Sequence, residues 1–345
     1  GKRRLRSLEP AVAAQAALFS PTTGIVDSHR LMQSLLAAAE AQGAILSCRA
    51  GVTSILHTDG GYELEINRGA YRVSTKVLIN SAGLHADAIA ARAGIDIDAA
   101  GYRLQPCKGN YLRPSSSPSL QHLVYPVPLN NNVGLGIHAT LDLSGRLRFG
   151  PDSRYLNGEE ISLLQKGEII GDDNVVEKPS LYAVDEGREE DFAAAVGKYL
   201  PGIDATSLSP DMSGIRPKLQ GPGEPAADFL IREESDRGLP GLIDLIGIES
   251  PGLTSCLAIA AYVVGADIGN RATRVAATGR ADLEGYPVMA RPVTPAPDPV
   301  WTADGITADE WEPVSPVTGQ LDAFAWRVPL STVAARAEPA PSLPV

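Results

Sequence analysis

Leu242 to Val264, LIDLIGIESPGLTSCLAIAAYVV, constrains the chain more than any other stretch, because a short apolar strand runs through a Gly-rich loop into an uninterrupted apolar helix. Pro251 suits a first helical turn and Ser250 an N-cap, while Gly247 and Gly252 remove side chains where a ligand could approach the backbone. A helix opened this way aims unpaired N–H groups and the positive end of its dipole outward, which favours an anion or an electron-rich carbonyl. Alone, the pattern reads more simply as a buried strand and helix packed on a sheet. A second junction, KVLINSAGLHADAIAARAG from Lys76 to Gly94, repeats the strand–Gly–helix order and shifts the balance toward a binding edge.

The rest of the chain fits a layered α/β (α+β) architecture. Asp27 caps a helix bearing Leu31, Leu35 and Leu36 that stops at Gly43, and the ALF run before it reads as a short strand. AILSC, VTSILHT, YELEINR and YRVSTKVLIN follow as strands separated by Gly51 and by the turns at Asp59-Gly60-Gly61 and Arg68-Gly69. From Tyr102 to about Thr140, short strands with polar turns predict an antiparallel sheet, and 158–170 and 188–200 read as helices. Strand signals return at 213–219, 229–232 and 242–246. The last 65 residues hold 11 prolines, 9 acidic and 3 basic residues, a composition that predicts a weakly ordered tail.

With 345 residues and a net charge of −11, the chain can bury a sizeable core but offers no basic stripe for nucleic acid. The KRRLR cluster at Lys2 to Arg6 reads as an exposed face. Cys48, Cys107 and Cys256 are odd in number and widely spaced, with neither a metal-ligand pattern nor a disulfide framework, which fits a reducing cytoplasm. The apolar run from Leu253 to Val264 is too short to span a bilayer, which leaves room for peripheral contact with an inner membrane.

LINSAGLHAD, GIRPKLQ and GIESPGLTSCLAIAAYV together resemble the FAD-dependent oxidoreductases of the D-amino-acid-oxidase and glycine-oxidase superfamily. EPAVAAQAALFSPTTGIVD, CKGNYL, HLVYPVP, GLGIHAT and FGPDSRY are similar to the L-2-hydroxyglutarate dehydrogenase (oxidase) family within it, and the match runs in order from about Leu5 to about Gly265. The resemblance implies a partial FAD-binding, Rossmann-like layer with an inserted antiparallel substrate domain. The expected divisions are 1–101 for part of the FAD-binding domain, with the first 27 residues open to the substrate sheet, then 102–206 for the substrate domain, 207–268 for the returning FAD-binding part and 269–345 for the tail. The superfamily opens on a strand–GxGxxG–helix for the ADP half of FAD, and no such motif stands near the start here. The corresponding expectation is a chain truncated at its amino terminus that holds FAD weakly or not at all by itself.

Residue by residue, the resemblance assigns Asn80, Ser81, Ala82 and Gly83 to a flavin-contacting turn and the backbone of Val52 to the adenine. Gly247, Ser250, Pro251, Gly252, Leu253 and Thr254 would face the pyrimidine side of the isoalloxazine, where a helix N-terminus stabilises the charge that reduction leaves. Arg216 in GIRPK resembles a Gly-x-Arg-Pro arginine that grips a substrate carboxylate, a task for which a planar, always-charged guanidinium is suited. A structural ion pair is the competing reading. Lys108 and Tyr111 in CKGNYL and Tyr125 in HLVYPVP are candidates for the far end of a dicarboxylate, although Arg is commoner than Lys at the first of these in the family. For the base that takes the hydroxyl proton, histidine titrates in the right range, and His138 in GLGIHAT is the first choice, with His122 second.

The implied activity is FAD-dependent oxidation of a 2-hydroxy dicarboxylate, L-2-hydroxyglutarate-like, to the 2-oxo acid, with a quinone, an electron carrier or oxygen as acceptor. Two alternatives stand beside it: an amino-acid or sarcosine-type oxidase with the same flavin chemistry, and a non-catalytic remnant.

Overall fold

The computed structural model describes residues 2–20, 23–116, 118–127, 136–166 and 179–265, with the backbone of a hairpin at Arg280–Leu283 and Tyr286–Met289. The expected weakly ordered tail otherwise lies outside the described residues. In chain order the elements are α1 (Lys2–Leu8), α2 (Ser28–Ala41), β1 (Val52–Thr58), β2 (Gly61–Ile66), β3 (Tyr71–Thr75), β4 (Leu78–Asn80), α3 (Ala86–Arg92), β5 (Gln105–Pro114), β6 (His138–Leu141), β7 (Leu147–Gly150) and β8 (Arg154–Tyr155). Then come α4 (Gly158–Lys166), α5 (Pro179–Tyr182), α6 (Glu189–Val196), β9 (Leu208–Lys218), β10 (Leu230–Glu234), β11 (Leu239–Ile246) and α7 (Gly252–Gly265).

Helix α2 starts as its sequence predicts, with the Asp27 side chain accepting the Arg30 N–H at 3.0 Å. Two expected strands do not form. ALF and AILSC are irregular, with Leu18 90% and Ile45 91% exposed, because an apolar run becomes a strand only where a partner strand covers it. YRVSTKVLIN breaks into β3 and β4, which belong to different sheets.

Strands β1, β2 and β3 form an antiparallel meander. β11 lies between antiparallel β10 and parallel β4, with Leu242, Ile243 and Asp244 opposite Leu78, Ile79 and Asn80. As the middle strand of a layered sheet, it is buried on both faces, so its sequence is nearly continuously apolar instead of alternating. Leu242 and Ile246 share one core with Tyr62, Leu64, Ala86, Ala90 and Tyr102, which welds the meander, α3 and the parallel pair together.

The antiparallel sheet runs β6-β7-β5-β8, and β9 pairs with β5 along its whole length, Gln105 opposite Lys218 and Pro114 opposite Leu208. Its core face packs Leu112, Ala139, Leu141, Leu147 and Phe149 against Phe192 and Val196 of α6. The boundary expected at 206 is therefore corrected: β9 belongs to this sheet, which extends to Lys218. Nothing in the Ser213–Lys218 sequence assigns it to one layer or the other; the pairing with β5 does.

Candidate active site

Alternation along the antiparallel sheet decides which side chains meet, because successive residues of a strand point to opposite faces. Leu112, Ala139, Leu141, Leu147 and Phe149 point into the core, so Tyr111, His138, Thr140 and Arg148 take the other face. There they line a cavity of about 410 Å³ together with Tyr125, Gly150, Ser153, Met212, Arg216 and Ser250. The His138 ring lies 3.9 Å from the Tyr125 ring, centroid to centroid, at 41°. Burial pushes the Tyr125 phenol up, and burial likewise raises Tyr111 against the pull of Arg216 and Arg148, so both stay protonated hydrogen-bond donors near neutral pH.

Arg216 faces Cys107 across the β5–β9 ladder. Its Nη2 donates to Ser153 Oγ at 2.7 Å and to the Asp152 carbonyl at 3.2 Å, with Cys107 Sγ at 3.6 Å. Nε is buried without a hydrogen-bond partner, and no carboxylate pairs with this guanidinium among the described contacts. A neutral shell of hydroxyl, carbonyl and thiol orients the cation and leaves its charge uncompensated, unlike the structural ion pair that competed with the anchor reading. Two residues on, Lys218 meets Glu249 at 2.7 Å, both largely buried. That pair ties the end of β9 to the loop before α7 and brings Arg216 and Ser250 to one cavity wall.

Lys108 lies elsewhere. It stands three residues from Tyr111, so it points through the opposite face, 2% exposed, with Nζ 2.5 Å from the Ala183 carbonyl and 2.6 Å from Asp185 Oδ1. Asp185 also meets Arg154 at 2.8 Å, which pairs with Glu160 at 2.9 Å. Burial alone would raise the Asp185 carboxyl, but hydrogen bonds from Arg154, Lys108 and Asn110 outweigh it and hold it at about 2. Lys108 belongs to this charge web, and the expectation that it reaches substrate is corrected on that ground. His122, the second choice of base, has Nδ1 2.7 Å from Glu9 Oε1, which also accepts the backbone N–H groups of Gln121 and His122, and it does not line the cavity.

The two strand–Gly–helix junctions leave the same end of the parallel pair β4 and β11. Asn80 Nδ2 donates to Asp244 Oδ1 at 2.6 Å and to the Ala86 carbonyl at 2.7 Å, bracing both. Desolvation raises the Asp244 carboxyl to about 6. Ser81 and Ala82 form the turn, and Gly83 adopts φ 58° with open space where a Cβ would stand, as a backbone that approaches a cofactor requires. Gly247 and Gly252 differ from expectation: a Cβ there would meet Leu219 at 2.6 Å and Ile248 at 2.7 Å, so these glycines permit close packing of protein on protein. Helix α7 begins at Gly252, after a cis Ser250-Pro251 bond, and Ser255 Oγ donates back to the Pro251 and Gly252 carbonyls. Leu253 and Thr254 lie exposed on that turn. Val52 opens β1 and packs against the core shared with Leu242. The open Gly83 turn leaves room for a flavin to approach the backbone at this strand edge.

Arg148, Met212 and Ser153 escaped the sequence reading, although the alternation of Leu147 and Phe149 around Arg148 was a usable signal. Among the described residues no cluster of three or more His, Cys, Asp or Glu could hold a metal, and no helix is long and apolar enough to cross a membrane.

Known proteins are similar to this chain in sequence and in fold. A mitochondrial L-2-hydroxyglutarate dehydrogenase from Arabidopsis thaliana is 34% identical over 294 residues, covering 74% of this chain and 57% of the relative. An L-2-hydroxyglutarate dehydrogenase from Salmonella houtenae is 25% identical over 276 residues, covering 75% and 63%. The chain thus spans about three fifths of the length of these relatives. An FAD-bound L-alpha-glycerophosphate oxidase from Mycoplasma pneumoniae shares the fold, with a TM-score of 0.56 at 21% identity over 76% of this chain and 62% of that one. The family model for FAD dependent oxidoreductases of the DAO type matches residues 1–266, and the chain belongs to that family.

Proposed function

We propose that the cavity oxidises a 2-hydroxy dicarboxylate resembling L-2-hydroxyglutarate to its 2-oxo acid, and that electrons then pass to a quinone, an electron carrier or oxygen. The carrying observation is Arg216, a cation without a carboxylate partner, in one cavity with His138, Tyr111 and Tyr125. FAD, when bound, would accept the C2 hydride at N5. Arg216 holds the 1-carboxylate through the N–H donors of Nη1, while Nη2 stays bound to Ser153 and the Asp152 carbonyl, and so fixes which face of C2 is presented. His138 takes the hydroxyl proton as the hydride leaves, and the two phenols donate hydrogen bonds to substrate oxygens. Asn80 to Gly83 and the exposed Ser250, Pro251, Leu253 and Thr254 would hold the flavin end and Val52 the adenine end. The similarity to L-2-hydroxyglutarate dehydrogenases supports the same reaction class.

Replacing Arg216 tests this. Arg216→Lys keeps the charge but loses the two-point grip, so kcat/KM falls by about 10²-fold or more, and Arg216→Ala falls further. The thermal midpoint changes little, because no ion pair is lost. A large drop in midpoint with nearly normal kcat/KM would assign Arg216 to the scaffold and remove the anchor.

A further inference from the structure

At the other end of the cavity from Arg216, the charge count is unbalanced. Asp211 and Asp142 are the two carboxylates there, and three guanidiniums surround them. Arg113 lies 2.5 Å and Arg148 3.2 Å from Asp211, while Arg146 lies 2.9 Å and Arg148 3.9 Å from Asp142. Burial would raise the Asp142 carboxyl, but hydrogen bonds from Ser144 and Arg146 hold it at about 2; three guanidiniums against two carboxylates leave one formal positive charge. Of the three guanidiniums only Arg148 lines the cavity, with Asp142 beside it on the wall. Arg113 has a 2.5 Å partner and Arg146 a bonded one, whereas the Nη1 of Arg148 has only the Met212 thioether at 3.3 Å, a weak acceptor.

The backbone sets this up. β9 carries one extra residue between Met212, opposite Tyr111, and Pro210, opposite Leu112; that residue is Asp211. A bulge re-aims a side chain, here a carboxylate that lies 3.2 Å from Arg148 Nε. Phe149 pairs with Leu112, so Arg148 stands abreast of position 113, six residues along β5 from Cys107, the partner of Arg216. At about 3.3 Å per residue their backbones are about 20 Å apart along the sheet, and both long side chains turn onto one cavity. Tyr111 stands between these levels, and its phenol feels the charge of both.

We propose that Arg148 binds the distal carboxylate of the substrate, so that the cavity selects a short diacid over the monoacid of equal length. This rests on the function proposed above and replaces Lys108 as the second anchor. A lone arginine at the Arg216 end would accept any 2-hydroxy acid; a cation at each end rewards only a molecule with two negative ends.

The test uses unreactive ligands, glutarate and pentanoate, titrated calorimetrically into the protein in a large excess of FAD, with thermal midpoints on each variant. The unaltered protein binds glutarate at least tenfold more tightly than pentanoate. Arg148→Met weakens glutarate by about 30-fold or more and leaves pentanoate within twofold; Arg148→Lys, which keeps the charge and guards against a misfolded Met variant, recovers part of the preference. A glutarate preference that survives both substitutions overturns the role of Arg148 alone. Equal weakening of both ligands also overturns it, since Arg148 would then only shape the cavity. Failure of the unaltered protein to prefer glutarate overturns the dicarboxylate reading and this inference together.

Discussion

Asp244→Asn isolates the cost of a carboxylate buried at the joint between the two junctions. Asp244 is fully buried, its Oδ1 accepts from Asn80, and its Oδ2 has no hydrogen-bond partner. Desolvation, reinforced by the nearby Glu234 charge and opposed by the Asn80 bond, raises it from an ordinary 3.8 to about 6. The folded protein therefore holds this proton more tightly than the unfolded chain. Its stabilising effect is complete below pH 4 and is lost as pH rises through 6, where the folded state must carry an ionised group in an apolar core. Two pH units correspond to about 3 kcal/mol. Asparagine cannot ionise, keeps the Oδ1 acceptor for Asn80 and puts an amide donor where Oδ2 stands alone. The variant should gain about 1–3 kcal/mol at pH 7.5, roughly 2–4 °C in midpoint per kcal/mol for a domain of this size, and gain almost nothing at pH 4. Midpoints measured in steps from pH 4 to 8 would show the difference opening between 4 and 6. A difference independent of pH, or a loss of stability at pH 7.5, would refute a strained carboxylate at this site.

Two further substitutions separate site from scaffold. Lys108→Met takes one charge-assisted bond from the half-buried Asp185, which keeps Arg154, so urea unfolding should show a loss of about 1.5–3 kcal/mol while glutarate affinity stays within twofold. Gly150→Ala would put a Cβ 2.6 Å from the Asn110 carbonyl and 2.6 Å from the Tyr111 ring, at φ 139°. Its thermal midpoint should fall and its glutarate affinity weaken at least tenfold, because the Tyr111 ring would be driven from its place on the cavity wall.

Much of this site was legible in the sequence, and the remainder failed for identifiable reasons. The two strand–Gly–helix junctions stand side by side because β4 pairs in parallel with β11, whose apolar run is buried on both faces. Tyr111, Tyr125, His138 and Arg216 gather on one cavity from separate motifs, which only a pairing pattern could establish. Lys108 was misplaced although the means to place it were available: three residues from Tyr111 in a strand is an odd step, and an odd step changes faces. Arg148 carried no motif, and its importance depends on counting charges across β5, β7 and β9, which are distant in sequence. The glycines 247 and 252 were correctly singled out for lacking side chains, but what occupies the vacated space is Leu219 and Ile248, a fact of packing that no local pattern encodes.

Strand β5 divides labour between its two sides: Tyr111 looks onto the cavity, while Lys108 and Asn110 anchor the charge web beneath. Selection can therefore retune substrate preference on one side by point substitution without disturbing the supporting ions on the other. A single-residue insertion or deletion within Gln105–Pro114 has no such freedom. It would exchange the sides of every residue beyond it, carrying an ammonium toward the substrate and a phenol into the web. Along this strand, drift in residue identity is tolerable where drift in length is not.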